Sequence, residues 1–315
     1  VVTKAGTSTK VQIAWSGERI NAQWMVAAKP SEAAGDFRKM SRGAFQWWAE
    51  TPKAAKVEPL AAKPVDWQTP RLAMNLEGVD LTRSFNDRVS AIFASGKYLS
   101  PRSPGVSLEL PWQGAGAWAG HLKTLPVIDD SGLRKVAAEN GGKLSMPNGI
   151  FFLTPSSPGT NNIVFTSQWD NYPHEVSIPV SGHAKHAYFL MAGSTNFMQS
   201  RMDNGEVVIT YTDGTSTRLA LRNPETWWPI EQDYFIDDYQ FPMEDPLPPR
   251  VDLKTGKVRL LRLDTFKGRG REVPGGAATV LDLALDPAKQ LQSLMVRTLS
   301  NDVVIGLMGA TLERP

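Results

Sequence analysis

The chain has no cysteine, and that absence excludes disulfides, thiolate metal sites and cysteine nucleophiles together. Long apolar runs are missing too: none approaches the roughly 18 residues that a membrane span needs. Charge of either sign is barely in excess, with 34 Lys and Arg against 32 Asp and Glu for a net +2. The basic residues are dispersed, so neither nucleic acid nor an anionic membrane surface is an expected partner. The one basic concentration, KGRGRE at 267–272, reads as a solvated loop.

Familiar catalytic signatures are also lacking. The Gly-rich WQGAGAW at 112–118 has neither a GxGxxG pattern leading into a helix nor the Lys-Ser/Thr of a phosphate loop. No GxSxG elbow, HExxH pair or EF-hand spacing occurs. His183 and His186 stand three apart in a strand-like stretch, which sends them to opposite faces and argues against a shared zinc. No internal period of about 20–50 residues marks a solenoid or propeller.

What is present is an ordinary globular composition, 41% hydrophobic and 21% charged, in 315 residues. That length suits about two domains of roughly 150 residues. The first residue is Val and not Met, so a processed product with further sequence upstream is expected. Residues 1–70 divide into a hairpin (VQIAW and INAQWMVAA about SGER) and an Ala/Pro/Lys-rich strap. Within the strap, DFRKMSRGAFQWWAE can be drawn as a short helix, and Trp47, Trp48 and Trp67 are expected to bury their rings against a domain.

Residues 71–315 read as β-structure. FNDRVSAIF at 85–93 is a plausible opening strand region, SGLRKVAAENGG is a short helix or a strand, and GIFFLTP is a strand. EVSIP at 175–179 alternates, AYFLMA at 187–192 is a continuous apolar run, and EVVITY, Asp213-Gly214 and TSTRLAL spell a hairpin. Four prolines in PMEDPLPP force an extended connector. VDLKTGKVRLLRL is a second hairpin, and TVLDLAL, QSLMVRTL and VVIGLMGATL are closing strands.

Two segments concentrate chemistry. SQWDNYPHE at 167–175 places Trp169, Asp170, Asn171, Tyr172 and His174 together; an aromatic face can stack on a pyranose while carboxylate and amide groups take its hydroxyls. The bland alternative is that Trp169 and Tyr172 anchor a loop while Asp170 or Asn171 caps a turn. WWPIEQDYFIDDYQF at 227–241 adds Trp227, Trp228 and Tyr234 as further sugar-binding candidates, with Glu231 and Asp233 as candidate acid and base. Its alternative is an aromatic strap with solvated acids. Calcium is the one metal to consider, on the oxygens of Asp80, Asn86 and Asp87, or of Asp237, Asp238 and Asp245.

The succession IPVSGHAKHAYFLMAGSTN, VVITYTDGTSTRLAL, a Trp-rich segment and the ending VLDLALDPAKQLQSLMVRTLSNDVVIGLMGATLERP resembles the galactose-binding-like jelly rolls attached to large bacterial glycoside hydrolases. The resemblance covers roughly residues 160–315, and it extends to the C-terminal part of large bacterial envelope proteins that accompany polysaccharide degradation. It implies an all-β jelly-roll sandwich over 71–315 behind an irregular N-terminal strap. It also implies a secreted or periplasmic carbohydrate-associated module that binds an oligo- or polysaccharide or braces a catalytic domain of the same gene product. Two alternatives stay open: a glycoside hydrolase or lyase using the acids of the 170 and 231–238 segments, and a purely structural interdomain domain.

Overall fold

The computed structural model describes residues 64–71, 74–94, 126–168, 171–195, 201–233, 246–265, 272–301 and 303–315 in full, with the backbone of six short strands outside them. The chain divides into two units, Val1–Val57 and Glu58–Pro315. The first holds four antiparallel strands in sequential order, β1 (Val2–Ala5), β2 (Ser8–Ile13), β3 (Asn21–Val26) and β4 (Phe45–Glu50). The helix drawn over this region is therefore corrected at its end. FQWWAE is aromatic-rich, which suits a pleated strand better than a helix, and it pairs with β3 from Asn21↔Glu50 to Val26↔Phe45.

The second unit is an all-β sandwich, with a separate two-stranded pair β6 (Leu99–Ser100) and β7 (Ser103–Ser107). Its larger sheet contains β5 (Asn75–Gly78), β10 (Val164–Ser167), β12 (His186–Met191), β13 (Ser194–Thr195), β16 (Arg250–Asp252), β17 (Val258–Arg259), β18 (Ala277–Ala284) and β20 (Val303–Arg314). Its path is β10-β20-β12-β18-β16-β17, with β5 and β13 also paired to β20. The smaller sheet orders β11 (Glu175–Pro179), β19 (Leu291–Thr298), β14 (Asp203–Tyr211) and β15 (Ser216–Arg222) as β11-β19-β14-β15. All pairings within both sheets are antiparallel.

Burial explains the sequence pattern. The smaller sheet buries one face, so β14 alternates Val207, Ile209 and Tyr211 inward. These meet Phe189, Leu281, Ile305 and Leu307 from the larger sheet. The larger sheet is covered on its other face as well, where Tyr188, Leu190, Val280 and Met308 meet Leu133, Leu144 and Phe152. Those last three come from helix α1 (Ser131–Glu139) and the hairpin β8 (Lys143–Ser145) and β9 (Phe151–Leu153). A strand apolar on both faces reads as an unbroken run, which is why AYFLMA and VVIGLMGATL show no alternation. The tight turn between β14 and β15 uses Gly214 at φ 81°, with Asp213 Oδ1 accepting from Thr215 N at 2.9 Å.

The expected opening strand at 85–93 is corrected. Asp87 makes a single bridge to Ile163, and Val89–Ala91 turn as a 3₁₀ helix. A side chain takes over the ladder's role here: Asn86 Oδ1 accepts from Phe165 N and Asn86 Nδ2 donates to Phe165 O, both at 2.8 Å. The segment SGLRKVAAENGG, 131–142, forms helix α1 over Ser131–Glu139, whose buried Arg134 donates from Nε to Asp130 Oδ2 at 2.9 Å and from Nη2 to Thr160 O at 2.9 Å. Among the described residues no helix is long and apolar enough to cross a membrane.

Candidate functional site

The first chemistry-bearing segment is placed as an anchor. Trp169 and Asp170 lie outside the described residues. Tyr172 is buried, its ring 5.1 Å from that of Phe165, and its hydroxyl donates to Asp87 Oδ2 at 2.5 Å. The side-chain amide of Asn171 is enclosed, without a hydrogen-bond partner among the described residues. His174 is exposed, and its carbonyl accepts from Thr298 N at 3.0 Å, which ties the segment to β19. This is the loop-anchor arrangement for Tyr172, whose ring faces the core instead of a ligand.

The oxygen groups considered for calcium are spent on local structure. Asp80 Oδ1 accepts from Thr82 N at 2.9 Å, Asn86 brackets the Phe165 peptide, and Asp87 takes the Tyr172 hydroxyl and the Arg88 N–H. Among the described residues no three His, Asp or Glu side chains gather to hold a metal ion. Asp237, Asp238 and Asp245 lie outside the described residues.

In the second segment, Tyr234 is likewise outside the described residues, while the two tryptophans are core. Trp227 and Trp228 are 0% and 1% exposed. Trp227 lies close enough to Gly193 that a Cβ there would sit 2.7 Å from its Cζ2. Trp228 Nε1 donates to Pro224 O at 3.0 Å. Neither ring can stack on a sugar from this position, which corrects their assignment as binding platforms.

Glu231 and Asp233 are enclosed as well, 1% and 6% exposed. Burial pushes the Glu231 carboxyl up to about 7, against the opposing pull of the Arg250 charge. Neither of its oxygens has a hydrogen-bond partner among the described residues. Asp233 is gripped by the Arg259 fork at 2.8 and 2.9 Å, and Arg259 Nε also reaches Asp252 Oδ1 at 2.7 Å. Buried Arg250 donates to Thr279 Oγ1 at 2.7 Å and to the carbonyls of Pro229 and Gln232 at 3.1 and 2.8 Å. An acid–base pair acting on a glycosidic bond must flank a sugar. Asp233 instead ties its segment to Arg259 at the edge of the larger sheet, and Glu231 is enclosed beside it.

An open cleft of about 380 Å³ lies elsewhere in the same unit, between residues 65–68, the connector at 246–249 and residues 260–262. Buried Val65, Trp67, Leu247 and Pro249 give it an apolar floor, and exposed Asp66, Gln68 and Arg262 give it a polar rim. Asp66 Oδ1 accepts from the N–H groups of Gln68 and Thr69 at 2.9 and 3.1 Å, shaping the turn that presents Gln68. Hydrogen bonds from Thr69 and Gln68 hold the Asp66 carboxyl below its usual value, so it is an anion at neutral pH. Ligand sites of this size combine an apolar lining with a few fixed polar groups.

None of the cleft's residues stood out as a site in the sequence. The available signal was a Trp beside Pro64 and a four-proline connector, features that by themselves indicate only a strap and a linker. A scan against protein-family models and a search of curated proteins each find no match to this chain.

Proposed function

We propose that residues 58–315 are a carbohydrate-binding β-sandwich module, of the galactose-binding-like jelly-roll kind, belonging to a secreted or periplasmic bacterial protein of polysaccharide degradation. The observation that carries the reading is the cleft, in which an apolar floor of Val65, Trp67, Leu247 and Pro249 lies beside a carboxylate, an amide and a guanidinium. An oligosaccharide offers the matching surface, with apolar C–H faces and hydroxyls that both donate and accept. The proposed ligand is a glycan segment of one or two sugar rings, the size that a cleft of about 380 Å³ admits. Catalysis belongs to another domain of the same gene product.

The test is a fluorescence titration of the chain with defined hexaoses of cellulose, xylan, mannan and galactan, with Gln68→Ala alongside. Gln68 is exposed, so the substitution removes an amide without opening the core. At least one hexaose is expected to saturate, and Gln68→Ala to weaken it roughly tenfold, the loss of about one good hydrogen bond. Absence of binding to every hexaose contradicts the reading. One observation favours the structural-domain alternative: Tyr172, Trp227 and Trp228 are spent on burial. That alternative predicts that none of the hexaoses binds.

A further inference from the structure

The outer wall of the cleft is not a strand of either sheet. Residues 64–71 reach the body of the unit through Arg71 N, which donates to Asn148 O at 3.2 Å, and through Asn148 Nδ2, which donates to Asp66 O at 2.9 Å. Val65 and Trp67 are the strap's own buried residues, and the Trp67 ring meets Tyr188 edge-on, 6.0 Å between centroids at 76°. Apolar burial holds the strap down, yet it is non-directional. It does not determine where along the sheet Asp66 and Gln68 stand.

Beside the two directional hydrogen bonds at Asn148, a further directional contact comes from the far end of the chain. Arg71 Nη2 donates to Glu313 Oε2 at 2.8 Å, and both Nη atoms approach the Tyr188 hydroxyl at 3.3–3.4 Å. Tyr188 donates to the same Glu313 oxygen at 2.6 Å, and Lys185 Nζ stands 3.1 Å from the other. Glu313 is 4% exposed in strand β20, whereas the Arg71 side chain is 34% exposed. A carboxylate buried in the central sheet therefore reaches out to a surface strap. Burial opposes its ionisation, but the hydrogen bonds from Tyr188 and Lys185 and the Arg71 charge outweigh that and keep it below its ordinary value.

We propose that Arg71 and Glu313 are a positioning pair for the cleft, a latch that sets the place of the Asp66–Trp67–Gln68 wall without touching the ligand. The ligand arm of this inference rests on the carbohydrate reading above; the latch itself does not. The guanidinium spans two acceptors, Glu313 Oε2 and the Tyr188 hydroxyl, and so fixes orientation as well as distance, which a point charge does less well. The latch thus makes binding at the cleft depend on residues outside it.

The experiment compares hydrogen exchange and hexaose binding in the parent chain, Arg71→Met and Arg71→Lys. Arg71→Met is expected to speed exchange across residues 64–71 about tenfold while β12, β18 and β20 keep their protection, because local opening is decoupled from global unfolding. The hexaose that binds the parent should bind Arg71→Met roughly tenfold more weakly, since ordering the wall is then charged against binding. Arg71→Lys should fall between the two in both readouts. Unchanged exchange at 64–71, equal acceleration in all three strands, or parental affinity in Arg71→Met overturns the latch. If the parent binds no hexaose, the carbohydrate reading falls, and the exchange arm alone decides the latch.

Discussion

Glu231 makes stability depend on pH in a direction opposite to that of most carboxylates. Its folded-state carboxyl sits at about 7, raised from an ordinary 4.5 by burial, with Arg250 too little to offset the lost hydration. Below about pH 4.5 both folded and unfolded states carry the proton, and the full stability is present. Between 4.5 and about 7 the unfolded chain ionises first, so the folded state binds more protons and stability falls as pH rises. Across that interval, at about 1.36 kcal/mol per pH unit, the loss amounts to roughly 3 kcal/mol, complete above pH 7. Glu231→Gln keeps the shape and removes the charge, so the variant should match the parent near pH 4.5 and exceed it by about 3 kcal/mol near pH 8. Urea unfolding at a series of pH values measures this, and contributions from other groups cancel in the difference. The carboxyls of Asp203, Asp213 and Glu313 are held low, Asp213 at about 2, and titrate below the window. A parent–variant difference that does not change between about pH 5 and pH 8 would refute the reasoning.

Two further outcomes follow from the packing. Glu206 faces outward from β14 yet its side chain is only 1% exposed, because Arg218 and Arg297 lie over it in ion pairs and Arg218 and Arg222 continue the row to Asp203. Glu206→Ala should cost about 2–3 kcal/mol in urea unfolding, less than a fully buried pair because both arginines retain water. Trp228→Phe should lower stability by about 1–3 kcal/mol, by loss of ring volume and of the Pro224 hydrogen bond, and leave hexaose affinity unchanged. A Trp228→Phe variant that unfolds like the parent but binds more weakly would return that ring to the ligand site.

Much of the β-framework was legible because its signals are local. The Asp213-Gly214 hairpin, the 175–179 alternation and the closing strands each declare themselves within a few residues, and β14, β15, β19 and β20 form where they were expected. Side-chain substitution for backbone pairing is not local: that Asn86 would bracket Phe165, 79 residues away, and leave 89–91 to turn has no signature in FNDRVSAIF. The acids and tryptophans at 227–233 drew notice because they crowd together, but their exposure is decided by partners at 193, 250 and 259. The cleft shows the same limitation from the other side. More than half of the chain separates its wall at 65–68 from the other two, and each alone looks like a turn or a linker.

The central claim is that a glycan occupies the cleft walled by residues 65–68, 246–249 and 260–262. The most direct measurement is a crystal structure of the chain with the tightest-binding hexaose. The account predicts sugar density over the apolar floor of Val65, Trp67, Leu247 and Pro249, with hydroxyls within hydrogen-bonding distance of Asp66, Gln68 or Arg262. Sugar bound instead over residues 167–175, or a cleft left empty at saturating hexaose, would contradict it.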